Sequence, residues 1–123
     1  MDDVSIVIVD DDTFTRKYLE KALAHMDNNI SSFADAFSAW MYIKNNCTDL
    51  VICDVHMDGM NGFDLLKSIK QLFPETKCIM ISADHFSRAY AKELGADAFF
   101  SKPFKLLELM QTISFFCEDA NTR

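Results

Sequence analysis

The tightest constraint on this chain is an alternation that runs through its length. Short apolar runs, too brief for a helix, take turns with segments whose apolar residues recur every three or four positions. Ser5–Val9, Asp49–Cys53 and Cys78–Ile81 are rich in Val and Ile and read as strands. Ala98–Ser101, shortly before Pro103, reads as a last strand, and Ile30–Phe33 as a weaker one because two serines dilute its apolar signal. Helical periodicity covers Phe14–Met26, Phe37–Asn45, Phe63–Phe73, Phe86–Leu94 and Leu106–Cys117, with Pro74 and Gly95 as stop signals after two of these.

Such a pattern implies right-handed crossovers and therefore an α/β fold, a doubly wound parallel sheet with helices on both faces. Strands without polar alternation suit that sheet, because both of their faces are covered. With 123 residues, 50% of them hydrophobic, one domain spanning 1–123 is expected, with a core that needs neither disulfides nor a structural metal. No run approaches the roughly 18 apolar residues of a membrane helix. The start Met1–Val4 is acidic where a secretory signal is basic, so a cytoplasmic location is expected. Cysteines at 47, 53, 78 and 117 form no C-x-x-C pair and read as reduced thiols. Acidic residues outnumber basic ones 19 to 12, which opposes direct contact with a nucleic-acid backbone.

Doubly wound sheets bind ligands at the carboxyl ends of their strands. Those positions are polar here: Asp10, Asp11 and Asp12 after the first strand, Asp54 after the third, Ser82 after the fourth and Lys102 after the fifth. Carboxylates gathered at one rim repel one another unless protonated or bridged by a cation, and an oxygen-only set suits Mg²⁺ or Mn²⁺. Helix capping accounts for a single aspartate at such a place. Three in succession, with Asp54 ending a neighbouring strand, favour a metal site. Ser82 and Lys102 add a hydroxyl donor and a cation, which completes the parts needed to hold and transfer a phosphoryl group.

At this point the residues resemble a known family, the receiver domains of two-component response regulators, in particular the chemotaxis receivers. The segment V-D-D-D-T-F-T-R resembles the family's acidic pair and first helix, and D-L-V-I-C-D-V-H-M-D-G-M-N-G-F-D-L-L its phosphorylated strand end. I-M-I-S-A resembles its switch strand and G-A-D-A-F-F-S-K-P-F its terminal signature. The resemblance covers Ile6 to about Cys117 and implies a flavodoxin-like five-stranded sheet in the order 2-1-3-4-5.

Carried over by position, it makes Asp54 the phosphoacceptor and Asp10 and Asp11 the metal-holding pair, with Asp12 outside it. Asp54 and the backbone carbonyl of His56 complete the protein ligands to Mg²⁺, for which Mn²⁺ can substitute. Ser82 bonds one phosphoryl oxygen, Lys102 pairs with another, and Lys102-Pro103 is a cis peptide. The implied donor is the phosphohistidine of a sensor histidine kinase or phosphotransfer protein. After transfer, Ser82 moves inward and Phe99 rotates into the space it leaves. That remodels the face of the fourth helix, fifth strand and fifth helix, which addresses an output domain or a partner protein. His56 and Asp84, each two residues beyond a site residue, correspond to positions that tune loss of the phosphoryl group. One departure is Asp58, where the family usually has proline; a looser loop and a further carboxylate near the metal are expected to alter turnover.

On the last helix, Leu106, Leu109, Met110, Ile113, Phe116 and Cys117 share one face, while Phe115 points away among Glu108 and Gln111. Phe115 is thus either a stray exposed aromatic or part of an interface or of a packed linker. Stand-alone and multidomain forms are both compatible with the sequence. Two other classes fare worse. A haloacid dehalogenase needs D-x-D followed by Thr or Val two residues on, and neither Asp10 nor Asp11 starts that pattern. A flavodoxin-type electron carrier wraps a flavin phosphate in its first loop, where aspartates would repel it. A degenerate receiver that binds partners without being phosphorylated is a third alternative, although every required side chain is present.

Overall fold

The strands are β1 (Val4–Val9), β2 (Asn28–Phe33), β3 (Leu50–Asp54), β4 (Lys77–Ser82) and β5 (Ala98–Ser101), with β1 and β3 on the Val- and Ile-rich runs and β2 and β5 poorer in both. Between and after them run α1 (Thr13–Leu23), α2 (Ala36–Asn45), α3 (Gly62–Leu72), α4 (Ser87–Glu93) and α5 (Leu106–Thr122). This computed structural model describes residues 4–26, 28–57 and 59–122. All strand pairs are parallel, and the sheet order is β2-β1-β3-β4-β5. The expected α/β architecture and strand order both hold.

Because side chains alternate across a strand, each strand feeds two cores. Val7, Val9, Val51, Cys53, Cys78 and Met80 pack under α2, α3 and α4, against Ala39, Ile43, Leu65, Ile69 and Ala91. Ile6, Ile8, Leu50, Ile52, Ile79 and Ile81 face the other way, onto Leu19 and Leu23 of α1 and Leu109, Ile113 and Cys117 of α5. Each fully buried Leu or Ile contributes about 1.5–3 kcal/mol relative to exposure. Burial of Cys53 and Cys78 pushes both thiols up, Cys78 to about 12, so they behave as small apolar groups.

The serines that weaken the β2 pattern have partners on the two flanking helices. Ser32 Oγ donates to Glu20 Oε1 on α1 at 3.0 Å, and Ser31 Oγ to the Tyr42 hydroxyl on α2 at 3.2 Å. An edge strand covered on both faces therefore keeps its polar side chains without leaving them unsatisfied. Two helix ends depart from expectation. The backbone of α1 leaves the helix after Leu23, with Met26 N–H bonded to the Leu23 carbonyl at 3.0 Å. Met26 still packs on the core, which is why the apolar period ran on to it. At the other end of the chain α5 continues past Cys117 to Thr122, and Ala120 extends its packed face.

Two glycine positions have distinct physical causes. Gly95, at φ 98°, closes α4: its N–H bonds the Lys92 carbonyl and that of Ala96 bonds the Ala91 carbonyl, each at 3.0 Å. That double bond is a Schellman ending, for which a left-handed residue is needed. Gly62 opens α3 against the end of β3. A Cβ there would overlap the Asp54 carbonyl oxygen and come within 2.8 Å of Val55 Cα, both rigid backbone. Gly62→Ala is expected to destabilise the fold by roughly 1–3 kcal/mol through this overlap. Thermal unfolding of the variant checks it, and an unchanged midpoint would show that the segment after Asp54 yields freely.

Candidate functional site

The strand ends bring five of the expected side chains to one rim. Asp10 follows β1 and is 2% exposed; its N–H bonds the Phe33 carbonyl at 3.1 Å, and its Oδ1 accepts the Asp12 N–H at 2.9 Å. Asp11, next in the chain, is exposed. Asp12 has a different job, capping α1 by accepting from Thr15 N–H at 3.3 Å and Thr15 Oγ1 at 2.6 Å. Those bonds, the hydroxyl above all, hold its carboxyl below the usual range. Helix capping thus accounts for one of the three successive aspartates, and the other two remain for the rim.

Asp54 ends β3 at 7% exposure. The chain beyond it is fixed by Val55 N–H to the Ile81 carbonyl and Gly62 N–H to the Val55 carbonyl, both 2.9 Å. Asn61 then caps α3 in a reciprocal capping box with Asp64. Oxygens of Asp10, Asp11 and Asp54 all lie within 4.8 Å of one another. From β5, the Lys102 N–H reaches the Ser82 carbonyl at 2.8 Å, and the Lys102-Pro103 peptide is cis. Lys102 Nζ stands 3.6 Å from Asp10 Oδ2 and 3.5 Å from Asp54 Oδ2, ion-pair distances to two carboxylates at once. Ser82 is fully buried, and its Oγ accepts the Asp84 N–H at 2.9 Å.

Burial is the main force on both inner carboxylates and raises the pKa of each. For Asp10 the Asp54 charge raises it further, while Lys102 pulls both back down. One ammonium facing three carboxylates leaves the cluster short of positive charge. A hard divalent ion with oxygen ligands fits that deficit and that donor set.

The same shifts dictate a pH dependence for the metal-free protein. Unfolded, both groups titrate near 3.8; folded, they hold protons to higher pH, so their ionisation opposes folding at neutral pH. Stability is then gained as pH falls through the raised folded values and the gain is complete below about 3.8. Relative to an Asp10→Asn variant, the wild type is expected to be less stable at pH 7 and to close the gap on acidification. Thermal midpoints of the two proteins across that range test this, and a constant gap would rule it out.

His56 and Asp84 stand at the rim's edge, both exposed. The His56 backbone donates to Asp54 and lowers its pKa in part; Asp84 Oδ1 accepts the Phe86 N–H at 2.9 Å. Asp58 lies outside the described residues. Phe99 is half-buried on β5, packed on the core under α4. A cleft of about 370 Å³, lined by Asp11, Val55, His56, Met57, Asn61 and Phe63, opens beside the carboxylates. Sequence reasoning assigned no role to Arg16, whose Nη1 donates to the Asp10 carbonyl at 2.7 Å and fixes the turn that carries the acidic pair. Its signal was one helical turn and a half of spacing from Asp10, visible only once α1 has a known start.

Among the described residues no helix is long and apolar enough to cross a membrane. Residues 6–114 match the model of the response regulator receiver domain family. The chain is 33% identical over 115 residues to the DNA-binding transcriptional regulator NtrC of Azospirillum brasilense, covering 92% of this chain and 24% of that protein. It is 29% identical over 119 residues to the sensor histidine kinase RcsC of Salmonella typhi, covering 95% of this chain and 13% of that one. The chain thus spans a quarter or less of these relatives. The crystal structure of a CheY-like response regulator receiver domain protein from Methanospirillum hungatei superposes with a TM-score of 0.90 at 26% identity, covering 98% of each chain. Strand order, acidic rim and a family match over most of the length converge, and the chain belongs to the response regulator receiver domains of two-component systems.

Proposed function

We propose that this receiver domain accepts a phosphoryl group on Asp54 from a phosphohistidine of a sensor histidine kinase or phosphotransfer protein. The observation that carries this is the placement of Lys102 Nζ between Asp10 and Asp54, where three carboxylate oxygens gather. An Asp54 oxygen forms the new bond to phosphorus as the phosphorus–nitrogen bond of the donor breaks, and the electron pair leaves with the imidazole. Lys102 meets one peripheral oxygen of the transferring group. Ser82 turns its hydroxyl to another, a donor its bond from Asp84 leaves free. Asp10, Asp11, Asp54 and the backbone carbonyl of His56 would hold Mg²⁺ or Mn²⁺, which supplies positive charge to the phosphoryl oxygens.

Hydrolysis of the acyl phosphate later resets the domain, with His56, Asp58 and Asp84 setting its rate. Sheet alternation puts Cys78, Met80 and Ser82 on the face under α4, the face on which Phe99 also packs. Movement of Ser82 toward a phosphoryl group on Asp54 would therefore open space on Phe99's own side. The α4-β5-α5 surface would carry the change to an output domain or partner protein. Phe115, 66% exposed on α5 while Leu109, Ile113 and Cys117 are buried, belongs to that surface. Relatives that are a transcriptional regulator and a kinase fit a cytoplasmic relay in which this domain is one module.

The test is intact-mass analysis after incubation with acetyl phosphate. One phosphoryl adduct is expected with Mg²⁺ or Mn²⁺ and none with chelator; an adduct that ignores the divalent ion, or no adduct at all, sinks the proposal.

A further inference from the structure

The proposed switch residue Phe99 is gripped by one side chain of α4. The Arg88 guanidinium lies over the Phe99 ring, 4.9 Å from its centroid, and Arg88 Nη1 donates to the Phe99 carbonyl oxygen at 3.3 Å. A ring under a guanidinium gains a cation–π contact, and the same fork fixes the backbone that carries it. β5 is an edge strand, so this bond ties it to a helix and not to another strand. On its near side α4 is thinly held: it has seven residues, no side-chain cap at Phe86, and buries only Ser87 and Ala91.

We infer that Arg88 is a positioning residue that holds Phe99 in the half-buried setting seen here, its ring under the guanidinium, so that rotation of the ring out of that setting must first break the cation–π contact. This rests on the switching role proposed above for Phe99. The cation–π contact exists only while the ring stays under the guanidinium, and the bond to the Phe99 backbone carbonyl keeps Arg88 in place above it, so the ring contact stabilises one of the two settings and not the other. A contact with such a preference shifts the equilibrium by its own strength. Removing it raises the fraction of molecules already competent for the phosphoryl group, and apparent affinity rises in proportion.

The probe is beryllofluoride with Mg²⁺, titrated into protein carrying ring-¹³C phenylalanine, the Phe99 resonance being assigned with Phe99→Leu. In wild type the resonance is expected to move on saturation. In Arg88→Ala it should start part of the way there without beryllofluoride, and apparent affinity should tighten by about 2- to 5-fold, as loss of one exposed cation–π contact implies. Arg88→Lys keeps the charge and loses the fork, and should fall between. If wild type binds and its Phe99 signal moves, but Arg88→Ala matches it in both affinity and starting position, this inference alone is overturned. If wild type fails to bind, or binds with Phe99 unmoved, the underlying reading falls and this one with it.

Discussion

Asp54→Asn is expected to take up no phosphoryl group from acetyl phosphate under conditions that modify the wild type fully. An amide offers no nucleophilic oxygen anion, and the neighbouring carboxylates have other posts. Asp10 is turned into its own loop by the Asp12 N–H, and Asp12 is committed to the α1 cap. The same change removes a buried charge that folding disfavours at neutral pH, so the variant should also unfold a few degrees higher without divalent ion, as roughly 1 kcal/mol would produce in a chain of this size. Loss of modification together with a raised midpoint separates loss of the acceptor from loss of the fold. An adduct on Asp54→Asn would place the acceptor elsewhere.

Lys102→Ala should slow modification by about 10²–10³-fold, the usual effect of removing one preorganised donor from developing negative charge. Divalent-ion affinity should hold or tighten, because the ammonium 3.5–3.6 Å from Asp10 and Asp54 competes for the same oxygens. In the absence of the ion the variant should be less stable than wild type, two inner carboxylates having lost their only close ammonium among the described residues. Labelling rates and metal titration on one preparation check both arms. A rate within about threefold of wild type would reduce Lys102 to a structural counter-charge.

Much of this was legible because the central strands β1, β3 and β4 carry short apolar runs and because parallel sheets collect ligands at predictable strand ends. Asp10, Asp11, Asp54, Ser82 and Lys102 could each be named from position alone. What period-based reading could not supply was anything decided between elements. Helix α1 was drawn too long because Met26 packs as a helical residue would while its backbone has already turned. Position alone did not separate Asp12 from its neighbours; the family resemblance set it outside the pair, and its bonds from Thr15 give the physical reason. Arg16, Gly62 and Arg88 act through a carbonyl group of another segment, and backbone partners leave no mark in a side-chain pattern.

The brevity of α4 has a consequence of its own. Opening a segment costs in proportion to the contacts it breaks, and this helix, with two buried residues, breaks few, whereas α3 beside it buries four. Its amide protons should accordingly trade with solvent early, well ahead of those in the central strands. A lever mounted so loosely beside so firm a platform lets a small event at one rim be felt on an adjoining flank, while the platform itself stays put.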